Sequence, residues 1–78
     1  MTATIPGCVN LDSATLVNAS YDHALAQLQL QFRDGTRYTY FGVSPELFHD
    51  LLSATSKGVF FNRYIRTHFL YAKLPVEN

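Results

Sequence analysis

The sequence is poor in charged residues, because Lys, Arg, Asp and Glu together make up only 15% of its 78 residues. Soluble domains average about 25%. It has no tryptophan and a single cysteine, Cys8, so an internal disulfide is excluded and no oxidising compartment is implied. No run approaches the ~20 apolar residues of a membrane span, and the residues before Cys8 lack the basic and apolar regions of a lipoprotein leader. We therefore expect a cytoplasmic protein that does not associate with membranes.

Hydrophobic residues, by contrast, are abundant, at 47% of the chain, and they include six Phe and five Tyr. An aromatic side chain buries about 150–250 Å², so a chain long enough for one domain can still build a core. We expect one domain over residues 13–74, with a loosely ordered lead-in at 1–12 and a tail at 75–78. The oligomeric state stays open, with a monomer as the default.

Alternating apolar residues predict three antiparallel strands. The first is expected over 15–21. The second, over 26–32, is the clearest, because Ala, Leu, Leu and Phe alternate there with Gln. The third follows the Asp34-Gly35 turn and ends at Gly42. Such alternation is typical of a sheet with one buried face and one face in water.

The length of that turn decides where two tyrosines point. A two-residue turn would place Tyr38 and Tyr40 on the glutamine face, as a base-stacking platform of the kind that RNA-binding sheets use. A three-residue turn from Arg33, with Gly35 left-handed as a bulge, would place both beside leucines of the second strand. Because a shift of one residue exchanges the two faces, burial favours the three-residue turn and a core position for both tyrosines.

Two short helices are predicted after the sheet. The first is expected over 45–53, with Ser44 as N-cap and proline at its first position. The second is expected to begin at residue 57 or 58 and to end at 68, capped by Ser56, and its inward side chains should be Phe60, Phe61, Tyr64 and Ile65. The short apolar stretch at 69–74 receives no assignment. The predicted fold class is α+β, a three-stranded antiparallel β-meander followed by two short α-helices packed on one face.

The sequence carries no pattern of a catalytic or metal site. Its three histidines lie on different predicted elements without zinc spacing. The carboxylates lie mostly in turns or at helix starts, where a structural role suffices. Neither a nucleophile elbow nor a phosphate-binding glycine loop is present. We expect a protein that is not an enzyme and holds no cofactor and no metal.

Two binding functions remain open. Between Lys57 and Leu74 the chain has four basic residues and no acidic one. These basic residues either complement the dipole at a helix C-terminus or contact RNA. Binding to RNA would weaken steeply as the salt concentration rises. The expected nucleic-acid contacts are Lys57, Arg63 and Arg66, on the weakly basic outer face of the second helix, together with Arg37. The alternative is a protein-interaction or regulatory role through exposed aromatic side chains such as Phe41, Phe69 and Tyr71.

Two spaced motifs cover most of the chain. The first is Leu-x-Leu-x-Phe-x-x-Gly-x-x-Tyr-x-Tyr at 28–40, followed by Gly-Val-Ser at 42–44. The second is Ser-x-Gly-x-Phe-Phe-Asn-x-x-Ile at 56–65. Together they resemble the KTSC domain, a module found at the C-terminus of some lysyl-tRNA synthetases and in stand-alone bacterial proteins. The resemblance, over about 13–71, implies no catalytic residue; it implies RNA, or a protein of the translation or transcription machinery, as the partner.

Overall fold

The computed structural model describes residues 9–11 and 13–74, and within them the fold is α+β, as predicted. The elements are β1 (Val9–Asn10), β2 (Leu16–Asp22), β3 (Gln27–Phe32), β4 (Arg37–Phe41), α1 (Pro45–Ser53), α2 (Lys57–Tyr64) and β5 (Tyr71–Leu74). The described strands form one antiparallel sheet in the order β1-β2-β3-β4-β5. The predicted tail at 75–78, and the predicted lead-in except for Val9–Leu11, lie outside the described residues.

The sheet has two edge strands beyond the three that were predicted. β1 pairs with β2, and β5 pairs with β4, placing Tyr71 opposite Tyr40. Sequence patterning missed both strands because each is short and β5 is mostly exposed on both faces. An edge strand is held by the backbone of a single neighbour, so its own side chains need not alternate.

The β3–β4 hairpin has the predicted three-residue turn. The amide of Phe32 donates to the carbonyl of Thr36 at 2.9 Å, and the amide of Gly35 donates to the carbonyl of Phe32 at 3.0 Å. Gly35 has a φ of 92°, a left-handed conformation that glycine adopts without a steric penalty. Tyr38 and Tyr40 therefore lie opposite leucines of β3, on the face turned toward the helices.

The start of β3 differs from the prediction. Ala26 does not begin the strand but has a φ of 54° in the preceding turn. The carboxylate of Asp22 holds that turn, accepting from the amides of Ala24 and Leu25 at 2.9 and 3.1 Å. An Asp side chain that binds the backbone two residues ahead favours a turn over a strand.

The core lies between this sheet face and the two helices. The largest side chains that are fully buried are Leu16, Leu28, Leu30, Val43, Leu51 and Ile65. Helix α1 has its predicted bounds, and Ser44 accepts from the amide of Leu47 at 3.1 Å as its N-cap. Ser56 caps α2 in the same way. In the described part of the chain, no helix is both long and apolar enough to cross a membrane.

Helix α2 ends earlier than predicted, at Tyr64 rather than at residue 68. The amides of Ile65 and Arg66 both donate to the carbonyl of Phe61, at 3.0 and 2.9 Å, and this sharing closes the last turn. Tyr64, expected to point inward, is 48% exposed, whereas Phe61 and Ile65 are buried. Arg66 consequently lies in the turn that leads to β5 and not on the face of the helix.

Candidate functional site

An open cleft of about 530 Å³ lies between the β4–β5 side of the sheet and the C-terminal end of α2. A volume of this size is within the range of small-molecule sites, roughly 300–1,000 Å³. Six of the described residues that line it are aromatic: Phe32, Tyr38, Tyr40, Phe61, Phe69 and Tyr71. The remaining lining residues are polar or charged.

The cleft exists because the sheet extends past the helix that covers it. Phe61 of α2 packs against Phe32 and Tyr40, with ring centroids 5.2 and 5.6 Å apart. The next strand, β5, lies beyond this contact, and its Tyr71 is 57% exposed. The early end of α2 leaves this side of the sheet uncovered.

Three tyrosines form the floor of the cleft. The ring centroid of Tyr38 lies 6.2 Å from that of Tyr40 and 5.6 Å from that of Tyr71. Tyr40 and Tyr71 are cross-strand partners with centroids 5.7 Å apart. Tyr38 and Tyr40 thus point to the core face, as predicted, and the cleft still reaches both of them.

Tyr40 brings a phenol hydroxyl to the floor of the cleft. Only 3% of this side chain is exposed, and its oxygen, unlike that of Tyr21, makes no hydrogen bond to a described residue. Among the described residues, every fully buried side-chain oxygen has a hydrogen-bond partner. Because the Tyr40 oxygen has none, it must be partly accessible. Burial raises the pKa of Tyr40 to about 12. The neighbouring Tyr38 and Tyr71 phenols add to this rise, and the Arg66 guanidinium opposes it. At neutral pH the hydroxyl is therefore a hydrogen-bond donor.

Alkaline pH should destabilise the domain through the same group. The folded chain keeps the Tyr40 proton up to a pKa of about 12, whereas the unfolded chain releases it near pH 10. The stabilisation present below about pH 10 is therefore lost as the pH rises toward 12. Urea midpoints measured across this pH range should fall, and Tyr40→Phe should reduce the fall. Burial also raises the pKa of Tyr21, so part of the fall should persist; an identical fall in the variant would contradict the assignment.

Asp34 places a carboxylate at the hairpin end of the cleft. Its Oδ1 accepts from the hydroxyl and the amide of Thr36, at 2.7 and 3.0 Å. These bonds lower the pKa of Asp34, with a smaller contribution from the Lys73 ammonium. Its Oδ2 makes no hydrogen bond to a described residue, so an ionised acceptor is available. Nowhere in the described part of the chain do three or more His, Cys, Asp or Glu side chains gather as metal ligands would.

The structure separates the four basic residues expected to contact nucleic acid. Arg66 lines the cleft. Arg63 is exposed on α2 and does not line it, and Lys57 donates from its ammonium to the carbonyl of Ala54 at 2.9 Å, at the start of α2. Arg37 lies on the opposite face of the sheet, because side chains alternate along β4 and its neighbour faces the cleft.

Of the three aromatic residues of the alternative hypothesis, Phe69 and Tyr71 line the cleft and Phe41 does not. Phe41 is 38% exposed and lies on the glutamine face, by the same alternation. Tyr71 faces the cleft, and Phe69 is half-buried against the core. Sequence reasoning missed the cleft residues Asp34 and Asn62; the motifs at 28–40 and 56–65 contain both of these positions but do not show that they meet.

Comparisons with known proteins agree on the relationship of this chain. The KTSC domain family model matches residues 12–69. A protein of Tsukamurella paurometabola is 41% identical over 59 residues, which are 76% of this chain and 88% of that protein. A lysine–tRNA ligase of Nostoc punctiforme is 33% identical over 63 residues, 81% of this chain but only 11% of the ligase. The crystal structure of a KTSC domain protein from Yersinia pestis aligns with a TM-score of 0.83 at 33% identity, covering 87% of this chain and 96% of that one. The chain belongs to the KTSC domain family.

Proposed function

We propose that this domain is a non-enzymatic binding module for single-stranded RNA, and that the aromatic cleft is its contact site. The observation that carries the proposal is the floor of tyrosine rings beside the Arg66 guanidinium. Unpaired bases stack on such rings, and arginine binds the phosphates between them. The similarity to part of a lysine–tRNA ligase supports RNA as the ligand class, and a cytoplasmic location accompanies it.

The charges around the cleft favour an anionic ligand. Arg66 lines it, and Lys73 lies opposite Tyr38 on the same face of the sheet. Among the described residues, Asp34 is the single acidic residue that lines the cleft. Two cations against one carboxylate suit a phosphate-bearing chain better than a cationic ligand.

Binding should be weak, because few groups contribute to it. Each base stacked on an aromatic ring contributes about 1–3 kcal/mol, and Tyr38 and Tyr71 are the rings with substantial exposure in the floor. Two stacked bases and one or two phosphate contacts correspond to a Kd between about 10 µM and 1 mM. A second RNA-binding site linked to this domain would raise the overall affinity, because both sites could bind the same RNA molecule.

An RNA titration tests the proposal. An isotope-labelled domain titrated with an unstructured oligonucleotide should show amide shifts at Tyr38, Arg66 and Tyr71. Each phosphate that is neutralised contributes about −0.7 to the slope of log affinity against log salt concentration. With two phosphates, affinity should fall about sevenfold between 50 and 200 mM salt. The absence of shifts in the cleft at low salt would overturn the proposal.

A matched pair of variants separates the cleft from the helix face. Arg66→Gln and Arg63→Gln remove the same charge from exposed positions three residues apart, and only Arg66 lines the cleft. We expect Arg66→Gln to weaken binding several-fold and to reduce the salt slope. Arg63→Gln should leave both close to the original values. The reverse result would place the contact on α2.

A protein-interaction role is the second candidate, supported by exposed apolar side chains at the β4–β5 edge. The amide of Phe41 donates to the carbonyl of Leu70 at 2.9 Å, and Leu70 is 82% exposed. Two side chains form a small patch compared with the roughly 800 Å² that each partner of a stable complex buries. Association through this patch would tolerate salt, would be reduced by Leu70→Ser, and would be unaffected by Arg66→Gln.

A further inference from the structure

We propose that β5 pairs antiparallel with β5 of a second copy of this chain, so that the two domains share one continuous sheet. β5 lies at an edge of the sheet, and among the described strands it pairs with β4 alone. The outer backbone groups of an edge strand are unpaired and can bind another strand. This inference concerns assembly, and it does not depend on the proposed binding of RNA.

One hydrogen bond shows which backbone groups of β5 face away from β4. The amide of Phe41 donates to the carbonyl of Leu70 at 2.9 Å, in the same register that pairs the two strands. In an antiparallel pair, residues whose backbone groups face the neighbouring strand alternate with residues whose groups face away. Ala72, two residues after Leu70, is therefore bonded to β4. The amides and carbonyls of Tyr71 and Lys73 face outward.

These outward groups favour one symmetric register. With the two-fold axis at Ala72, Tyr71 of each copy lies opposite Lys73 of the partner subunit, and four hydrogen bonds form. If the axis moves one residue toward the start of β5, Lys73 lies opposite Phe69 of the partner subunit, which precedes the strand. If it moves one residue toward the end, Tyr71 lies opposite Pro75 of the partner subunit, which has no amide hydrogen.

The side chains of this register are compatible on the cleft face. Tyr71 and Lys73 both lie on that face, because their partners in β4 are tyrosines of the cleft floor. Directly opposed residues of antiparallel strands are close enough for their side chains to interact. The ammonium of Lys73 would thus lie beside the partner's Tyr71, whose side chain is 57% exposed in the single domain. A cation near the face of a tyrosine ring is stabilising.

The opposite face of the sheet carries an apolar stripe at this edge. Leu70, Ala72 and Leu74 lie on the face that bears the glutamines of β3. Leu70 is 82% exposed, and Ala72 is exposed as well. In the dimer Leu70 lies opposite the partner's Leu74, and the two small Ala72 side chains meet at the axis. Pairing therefore removes apolar surface from water along the whole stripe.

The interface is small, so the dimer should be weak and should not grow further. It involves residues 70–74 of each copy, whereas each side of a stable complex has about 20–30 residues. We expect mostly monomer at about 50 µM and mostly dimer at about 1 mM, as for other transient contacts. Because the same edge is used by both copies, the pairing closes at two.

Hydrogen exchange at these two concentrations tests the register. The amides of Tyr71 and Lys73 should exchange at least about twofold more slowly at the higher concentration, because both become hydrogen-bonded in the dimer. The amide of Ala72 is bonded to β4 in either state, so its exchange should not change. Sedimentation velocity should show the shift from monomer to dimer. A chain that is still monomeric at 1 mM would overturn the proposal.

Lys73→Pro tests the outward hydrogen bonds. Proline removes the amide hydrogen of residue 73, which faces away from β4, so the bonds within the domain remain. The dimer Kd should rise at least about tenfold, while the urea midpoint of the monomer stays close to the original value. Lys73→Gln keeps the amide and removes the charge, so it should raise the Kd by less than about threefold. Equal effects of the two variants would overturn the assignment of the outward bonds.

A cross-link tests the position of the axis without removing a contact. In a Cys8→Ser background, Ala72→Cys places two sulfurs at the axis, where the Cα atoms should be about 4.5 Å apart, within the range of a disulfide. Leu70→Cys is the control, because the two copies of residue 70 would lie about 13 Å apart along the strands. Mild oxidation should give a covalent dimer of Ala72→Cys only. Equal cross-linking of both variants, or none of Ala72→Cys, would overturn the proposed pairing.

Discussion

Replacing Leu30 with alanine is expected to remove about 3 kcal/mol from the free energy of unfolding. Leu30 lies in the middle of β3 and its side chain is fully buried. Truncating a buried leucine costs about 2–5 kcal/mol, because transfer energy is lost and a cavity remains. A domain of 78 residues has a total stability of only about 4–12 kcal/mol. The single substitution should therefore remove a large fraction of the free energy of unfolding.

Urea denaturation followed by circular dichroism measures this loss, with Leu25→Ala as its control. Leu25 lies in the turn before β3 and is 61% exposed, so the same truncation there should change stability by no more than about 0.5 kcal/mol. The cleft lies on the core face of the same sheet, and its floor depends on this packing. Equal losses in the two variants would contradict the observed register of β3.

The burial of Leu30 was predictable because the information is local. Alternation along β3 identifies its apolar face, and Gly35 identifies a turn that only one register accommodates without exposing that face. The start of α1 was predictable for the same reason, since Ser44 and the proline after it specify an N-cap. These features depend on residues within a few positions of one another.

Features that depend on tertiary contacts were not predictable. β5 has no alternation that identifies it, and the backbone of β4 holds it at the edge of the sheet. The end of α2 was placed too late because apolar spacing continues through Ile65, although Tyr64 is already exposed. Both errors concern the segment that leaves α2 and reaches the sheet edge. This segment forms one wall of the cleft.

The candidate site was therefore only partly predictable. The inward direction of Tyr38 and Tyr40 followed from the register, but that direction suggested a purely structural role. The cleft that reaches them requires Tyr71, and β5 was unassigned. Arg63 and Arg66 were grouped because a longer helix would place them on one face. Because α2 ends at Tyr64, Arg63 lies on the helix, whereas Arg66 lies in the turn after it and lines the cleft. The motifs contain several cleft residues, yet linear spacing does not show that they surround one volume.

The second family motif, at 56–65, contains residues that line the cleft and residues that position α2. Phe61 and Asn62 line the cleft, whereas Ser56 caps α2 and Gly58 lies where the helix meets the residues before β2. A Cβ atom at position 58 would lie 2.9 Å from Oγ1 of Thr15 and 3.3 Å from its Cβ. The first distance is closer than real Cβ contacts allow. Glycine here permits close packing of the helix.

Gly58→Ala should therefore destabilise the domain by about 1–2 kcal/mol, although alanine favours a helix by about 1 kcal/mol over glycine. In a Thr15→Ala background, where Oγ1 is absent, the same substitution should be close to neutral, giving a coupling of at least about 0.5 kcal/mol. The control cycle pairs Gly58→Ala with Thr67→Ala and should be additive. If Gly58→Ala stabilises the domain, the contact does not restrain the helix. Because Thr15 also lines the cleft, strong coupling would mean that the position of α2 and the shape of the site depend on one contact.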